Sequence, residues 1–217
     1  MSDLVLHELT GSPNSVKARI ALGYKGLAYE RVPLEMKAFP GDRAALVSLS
    51  RQPRTPVLVH GKTVVFDSGG ILRYLEANFP GTPPLFTGDY QEFGEIERWE
   101  LFARTQLGEP IGLVFGQAFA PAADEKVLVR ARDLLSQATG ALEDRLAGHE
   151  FLVTDHLSAA DVVCAAPLYL TDLSAKSTEG QPISAFFAAH LPLGEDRPLT
   201  RAWLRRVLAH DPICGQR

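Results

Sequence analysis

Residues 51–80, RQPRTPVLVHGKTVVFDSGGILRYLEANFP, decide the fold. They read as a loop ending in Thr55-Pro56, an apolar strand at Val57–His60, a Gly61-Lys62 turn and a second strand at Thr63–Phe66. Asp67-Ser68 then opens an amphipathic helix that ends near Phe79-Pro80. A proline that opens a strand keeps the residue before it extended, with that residue's N–H and C=O free to pair elsewhere. An acidic residue and a serine at a helix start gather a carboxylate, a hydroxyl and unpaired backbone N–H groups at one point. Together these parts suit a clamp for a small extended peptide: backbone before Pro56 for its middle, Asp67-Ser68 for its charged end.

Working outward, Leu4–Leu9 reads as a buried strand in which His7 and Glu8 interrupt the apolar run. Thr10-Gly11-Ser12-Pro13 is turn chemistry. A helix over 14–24 follows, with Val16, Ile20 and Ala21 on one side and Lys17 and Arg19 on the other, and Gly26 stops it. Residues 28–34 form a second strand, 36–42 a loop and 43–49 a short helix. The predicted order is therefore β-α-β-α-β-β-α.

Residues 80–88, PGTPPLFTG, form a linker, and the pattern beyond it turns helical. Residues 91–107 carry Phe93, Ile96, Trp99, Phe102 and Ala103 at helical spacing. Residues 124–146 carry Val127, Ala131, Leu134, Leu135, Ala138, Leu142 and Leu146 in the same way. A helix over 155–173 contains a capping box, Ser158 with Asp161 three residues on, flanked by the staple pair Leu157 and Val162. A last helix covers 198–209, opened by Pro198. Its Arg201 and Arg205, beside Arg206, read as a solvated face.

The Thr55-Pro56 and Asp67-Ser68 pattern, with its flanking helices, resembles the glutathione S-transferase family. The resemblance implies an α/β plus all-α protein: a thioredoxin-like glutathione-binding domain over 1–80, a linker over 81–88 and a helical bundle domain over 89–217. It implies a cis peptide bond before Pro56, a grip on the γ-glutamyl group by Asp67 and Ser68, and a role for Thr55 against the middle of glutathione. The implied reaction adds the glutathione thiolate to small apolar electrophiles, with glutathione as co-substrate and no metal. A cytoplasmic, detoxifying homodimer is also implied.

Such chemistry demands a thiolate at neutral pH. An ordinary cysteine thiol titrates near ~8.5. Lowering it by about two units takes roughly 2.7 kcal/mol of preference for the anion. A hydroxyl donating to sulfur, beside a helix N-terminus, supplies that kind of preference. The resemblance puts the donor in the turn after the first strand, where relatives carry tyrosine, serine or cysteine. Here the turn reads Gly11-Ser12-Pro13-Asn14-Ser15, which implies a serine-type site with Ser12 as donor and Ser15 or Asn14 as alternatives. Arg19-Ile20-Ala21-Leu22 matches a run in the zeta class, but Pro13 and Asn14 break that class's serine-rich signature. Arg54 stands beside the ligand position, where it pairs with a glutathione carboxylate or narrows the site. Gly69-Gly70 either allows close backbone approach to the ligand or frays the first helical turn.

The remaining composition excludes other classes. With 217 residues, 46% apolar content and a net charge of −4, the chain lacks the basic footprint of a nucleic-acid or anionic-membrane binder. The longest apolar stretch, 111–123, is broken by glycines and Pro121 and is too short to span a bilayer. Two distant cysteines, Cys164 and Cys214, fit a reducing compartment, and the six histidines show no metal-ligand spacing. Trp99, Phe102, Phe115 and Phe119 serve either the helical core or an electrophile pocket. Two other readings use the same fold: a non-catalytic interaction or dimerisation module, and a glutathione-dependent isomerase or peroxidase.

Overall fold

Leu4–Leu9 (β1) is the pivot of the N-terminal half. In the computed structural model, which describes residues 3–34, 43–173 and 178–215, β1 pairs in parallel with Glu30–Leu34 (β2) and antiparallel with Val57–His60 (β3). Strand β3 pairs antiparallel with Thr63–Phe66 (β4), giving the sheet order β2-β1-β3-β4. Register follows the apolar residues: Leu6 faces Leu58, and Leu58 faces Val65. Helices Pro13–Tyr24 (α1), Ala44–Ser50 (α2) and Ser68–Asn78 (α3) complete a thioredoxin-like arrangement. Their buried side chains include Val16, Ile20, Leu46, Ile71, Leu72 and Leu75. Strand β2 begins two residues later than the pattern predicts, and the expected loop at 36–42 lies outside the described residues.

One expectation fails inside this unit. Arg19 was expected on the polar side of α1, but it is fully buried. It pairs with Glu8 of β1, and its Nε donates to Asp211 at 3.0 Å. Glu8 also takes Arg31 of β2, whose Nε donates to it at 2.7 Å. Two guanidiniums thus neutralise two carboxylates, the condition under which buried charge is tolerated. Burial works against the charge of Arg19, but Asp211 and Glu8 outweigh it and hold its pKa above the ordinary value. Burial likewise pushes the neighbouring Tyr29 phenol up to about 12, so it stays neutral.

This first compact unit runs to Phe86 and takes in His210–Pro212. The Pro-rich stretch at its end is fixed within the unit. Lys25 Nζ donates to Glu76 and to the Pro83 carbonyl, both at 2.9 Å, while Leu85 N–H donates to Glu76 at 3.0 Å.

The second unit runs from Thr87 to Ala209 and takes in the segment from Ile213. It is helical: Tyr90–Phe102 (α4), Gly108–Ala118 (α5), Glu125–Leu146 (α6), Ala159–Leu168 (α7), Pro182–His190 (α8) and Pro198–Leu208 (α9). The single helix predicted over 91–107 is α4 followed by a π turn, Ala103–Leu107, that leads into α5. Pro110 explains the wider turn: it has no N–H for the Gln106 carbonyl, and its ring crowds that carbonyl. Asp89 and Asp124 cap α4 and α6 through backbone N–H groups of the first turn. On α6 the buried face centres on Leu128, Ala131, Leu135, Ala138, Leu142 and Leu146, whereas Val127 and Leu134 are only half-buried.

The capping box of α7 forms as expected, but the helix starts at Ala159 rather than at 155. Asp161 does more than cap. One carboxylate oxygen accepts from Ser158 N–H and hydroxyl at 2.9 Å each, the other from Leu152 N–H at 2.9 Å and Trp203 Nε1 at 2.8 Å. Burial nevertheless pushes its pKa up, against these donors. On α9, Arg201 is not simply solvated: it pairs with Asp172, and Arg205 Nε stands 3.4 Å from the same carboxylate. Phe115 and Phe119 touch each other and remain exposed, so they lie outside the core.

Candidate active site

The site residues foreseen in the first unit sit on three segments: the start of α1, the loop before β3 and the start of α3. Ser12 is the N-cap residue of α1, in extended conformation, and Pro13 holds the first helical position. Its N–H donates to the Leu9 carbonyl at 2.9 Å, which fixes the turn. Its hydroxyl makes no capping bond at the positive end of α1, where Pro13 has no N–H to offer and the Ser15 N–H donates to the Ser12 carbonyl at 2.9 Å. Ser15 differs. It is fully buried, and its hydroxyl accepts the Leu9 N–H at 3.2 Å. Of the two serines, one is spent on joining α1 to β1 and the other is not.

The Thr55-Pro56 peptide bond is cis. Pro56 is buried and Thr55 half-buried, and no turn or strand hydrogen bond among the described residues takes up the Thr55 backbone. Arg54 is exposed, and its guanidinium has no hydrogen bond or ion pair among the described residues.

Asp67 caps α3. Its Oδ1 accepts the Gly69 N–H at 2.8 Å, and its carbonyl accepts from Ile71 N–H at 3.0 Å. Its backbone has φ 71°, unusual for a residue with a Cβ and costing on the order of 1–3 kcal/mol. Ser68, 9% exposed, follows in the first turn of the helix. Gly69 and Gly70 do not fray the helix. A Cβ at Gly69 would stand 3.3 Å from Asp67 Oδ1, so this glycine keeps room for the cap carboxylate.

These segments converge. The Ser68 hydroxyl reaches Asn14 Oδ1 at 3.5 Å, and Asn14 also accepts from Lys17 Nζ at 3.1 Å. The starts of α1 and α3 therefore meet, and the positive ends of two helix dipoles at one point favour an anion. The Asp67 carboxylate beside them suits a cation. A ligand carrying both charges on an extended backbone matches the set.

Sequence reasoning missed Gln52, whose side chain organises the loop before Pro56. Its only sequence signal was a long amide side chain two residues from Arg54.

The family model for the glutathione S-transferase N-terminal domain matches residues 6–83, and that for the C-terminal domain matches residues 105–211. The chain belongs to the glutathione S-transferase family. It is 30% identical over 157 residues to glutathione S-transferase F10 of Arabidopsis thaliana, covering 69% of this chain and 72% of that one. It is also 30% identical over 171 residues to elongation factor 1-gamma 2 of Oryza sativa subsp. japonica, covering 77% of this chain but only 40% of that protein. Among solved structures, the glutathione transferase URE2P8 from Phanerochaete chrysosporium, determined with oxidized glutathione, superposes with a TM-score of 0.78 at 17% identity. That match covers 100% of this chain and 93% of the other, and it supports the fold alone. Within the glutathione S-transferase family, then, relatives include both transferases and elongation factor chains, so membership by itself does not fix catalysis. Among the described residues no cluster of His, Cys, Asp or Glu could hold a metal, and no helix is long and apolar enough to cross a membrane.

Proposed function

We propose that the protein is a glutathione transferase that adds the glutathione thiolate to small apolar electrophiles. The observation that carries this reading is the Ser12 hydroxyl, which caps nothing although it occupies an N-cap position. In the proposed complex the Thr55 backbone pairs with the cysteinyl part of glutathione beside Pro56. The Asp67 carboxylate takes the α-amino group of the γ-glutamyl end, and Ser68, at the positive end of α3, takes its α-carboxylate. Arg54, whose guanidinium has no hydrogen bond or ion pair among the described residues, takes the glycyl carboxylate.

Ser12 donates a hydrogen bond to the sulfur and stays protonated throughout. Its bond, with the dipole of α1, favours thiolate over thiol. The thiolate then attacks the electrophilic carbon, a carbon–sulfur bond forms, and the leaving group departs with its electron pair. A cytoplasmic, detoxifying homodimer without nucleic-acid or membrane partners completes the proposal.

The match to elongation factor 1-gamma over 77% of this chain favours one second reading, a non-catalytic interaction module. Titration of glutathione, followed by thiolate absorbance in the ultraviolet, separates the two. A transferase shows thiolate at neutral pH, lost in Ser12→Ala. An interaction module binds no glutathione at millimolar concentration.

A further inference from the structure

We infer that Gln52 is the positioning residue that presents Thr55 and Arg54 to glutathione, an inference that rests on the glutathione reading above. Gln52 Nε2 donates to the Arg54 carbonyl at 2.9 Å and to the Ser50 hydroxyl at 3.0 Å, and its Oε1 accepts the Arg54 N–H at 2.6 Å. One side-chain amide thus satisfies both backbone groups of one residue, the exchange a paired residue on a neighbouring strand would make.

The anchor of this clasp is helix α2. Arg51 ends that helix in the left-handed region at φ 59°. The Ser50 hydroxyl lies 2.9 Å from the Leu46 carbonyl and 3.1 Å from the Gln52 carbonyl. Arg43 at the other end of α2 donates to the Pro53 carbonyl. Beyond the last backbone bond of α2, from Arg51 N–H to the Val47 carbonyl at 2.8 Å, the chain from residue 52 to residue 54 is therefore held by side chains.

The consequence falls on the next residue. In extended backbone, neighbouring residues turn their N–H and C=O groups to opposite sides. Pro56 keeps Thr55 extended. With Arg54 taken up by Gln52, the Thr55 pair is left for a ligand strand on the other side. The same clasp fixes the backbone of Arg54, and so the point from which its guanidinium reaches. The ligand read this way is a peptide recognised through its main chain, with a carboxylate within reach of Arg54.

The test compares the wild type with Gln52→Ala and Gln52→Glu. Glutathione affinity is measured by calorimetry, the pKa of bound thiol by ultraviolet absorbance, and turnover with a nitroaryl halide. For Gln52→Ala, Kd and KM for glutathione should rise about tenfold, the loss expected from roughly 1.4 kcal/mol of hydrogen bonding. The bound thiol pKa, kcat and KM for the halide should not change, because Ser12 stands on another segment. Gln52→Glu still accepts from Arg54 N–H but cannot donate, so its Kd should fall between the other two. Merely structural damage would lower kcat together with affinity, and that result overturns the inference. So does a Gln52→Ala protein that binds glutathione like a wild type that itself binds it. A wild type that fails to bind overturns the glutathione reading itself, and the inference with it.

Discussion

The Ser68 hydroxyl stands 3.5 Å from Asn14 Oδ1, which brings the first turns of α3 and α1 to one point. Ser12 occupies the N-cap position of the one helix without capping it, and Asp67 caps the other, so the proposed thiol donor and the proposed amino-group acceptor flank that point. Replacing Ser12 and Ser15 separately should split chemistry from stability. Ser12→Ala should raise the pKa of bound glutathione by about one to two units and slow conjugation roughly 10–100-fold, with little change in the unfolding midpoint. Ser15→Ala takes the hydroxyl acceptor from the part-buried Leu9 N–H and should cost about 1 kcal/mol of stability while leaving the thiol pKa alone. Ultraviolet thiolate titration and urea unfolding of both variants check this; the opposite assignment would make Ser15 the donor.

Asp67 combines a cap with a positive φ, and two substitutions separate them. Asp67→Gly loses the cap but relieves the backbone, two effects of a few tenths to about 1 kcal/mol with opposite signs. Its stability should stay close to the wild type. Asp67→Ala loses the cap and keeps a Cβ at φ 71°, so it should be the less stable of the two, by about 1 kcal/mol. Both should lose glutathione affinity to a similar extent, because the carboxylate is gone in each. Thermal unfolding beside calorimetric titration reads the two effects separately.

The adjacent glycines have different surroundings and should respond differently. A Cβ at Gly70 would meet only Val65 Cγ1 at 4.0 Å, an ordinary contact. Gly70→Ala should therefore stabilise the protein by up to about 1 kcal/mol through helix propensity. Gly69→Ala would push on the Asp67 carboxylate at 3.3 Å and should weaken glutathione binding without a matching gain in stability. Equal behaviour of the two variants would remove the reason given for Gly69.

The parts of the site legible in the sequence were those set by local rules. The Asp67 cap, like the Ser158–Asp161 box in the second unit, follows from local capping rules, whereas the cis bond before Pro56 was legible through the family resemblance, and each is found. What the sequence hid depends on partners elsewhere. Arg19 looked solvent-facing because its neighbours along α1 gave no hint that Glu8 and Asp211 would meet it in the interior. The π turn depended on reading Pro110 as lying inside a helix rather than beyond its end. Gln52 carried no motif, since side-chain pairing with loop backbone has no periodicity to betray it. The positive φ of Asp67 was equally invisible: propensity disfavours it, and only the turn between β4 and α3 imposes it.

Glu143, on α6, caps a helix it does not belong to. Its carboxylate accepts from Leu199 N–H and Thr200 N–H at 2.8 Å each, and from the Thr200 hydroxyl at 2.7 Å, so it holds the first turn of α9. Partial burial opposes its charge, but these bonds and the Arg197 charge outweigh it, and its pKa is lowered. A carboxyl depressed on folding stabilises the protein above its unfolded value near 4.5 and loses that contribution as pH falls through the folded value. Glu143→Gln should therefore cost about 1 kcal/mol at pH 7, and the gap to the wild type should close as pH falls below the unfolded value and through the lowered folded one. Urea midpoints measured across that range check it; a gap that persists at low pH would mean the carboxylate charge is not what caps α9.

Asp211 is buried against Arg19, and Glu8 is shared by Arg19 and Arg31. Removing one charge from such a balanced group leaves the others unmatched away from water. Asp211→Asn should cost about 3–5 kcal/mol in urea unfolding, the range for one partner lost from a buried pair. The group is two pairs, however, and one of them can be taken out whole. In the double variant Arg19→Met with Asp211→Leu, Glu8 keeps Arg31, whose Nε already donates to it at 2.7 Å. No unmatched buried charge remains, and apolar side chains of similar reach fill the space. The double variant should recover most of the lost stability, because desolvating a buried ion pair offsets much of its attraction. If it is instead less stable than Asp211→Asn, the four charges act as one inseparable unit, and Glu8 depends on Arg19 even with Arg31 beside it.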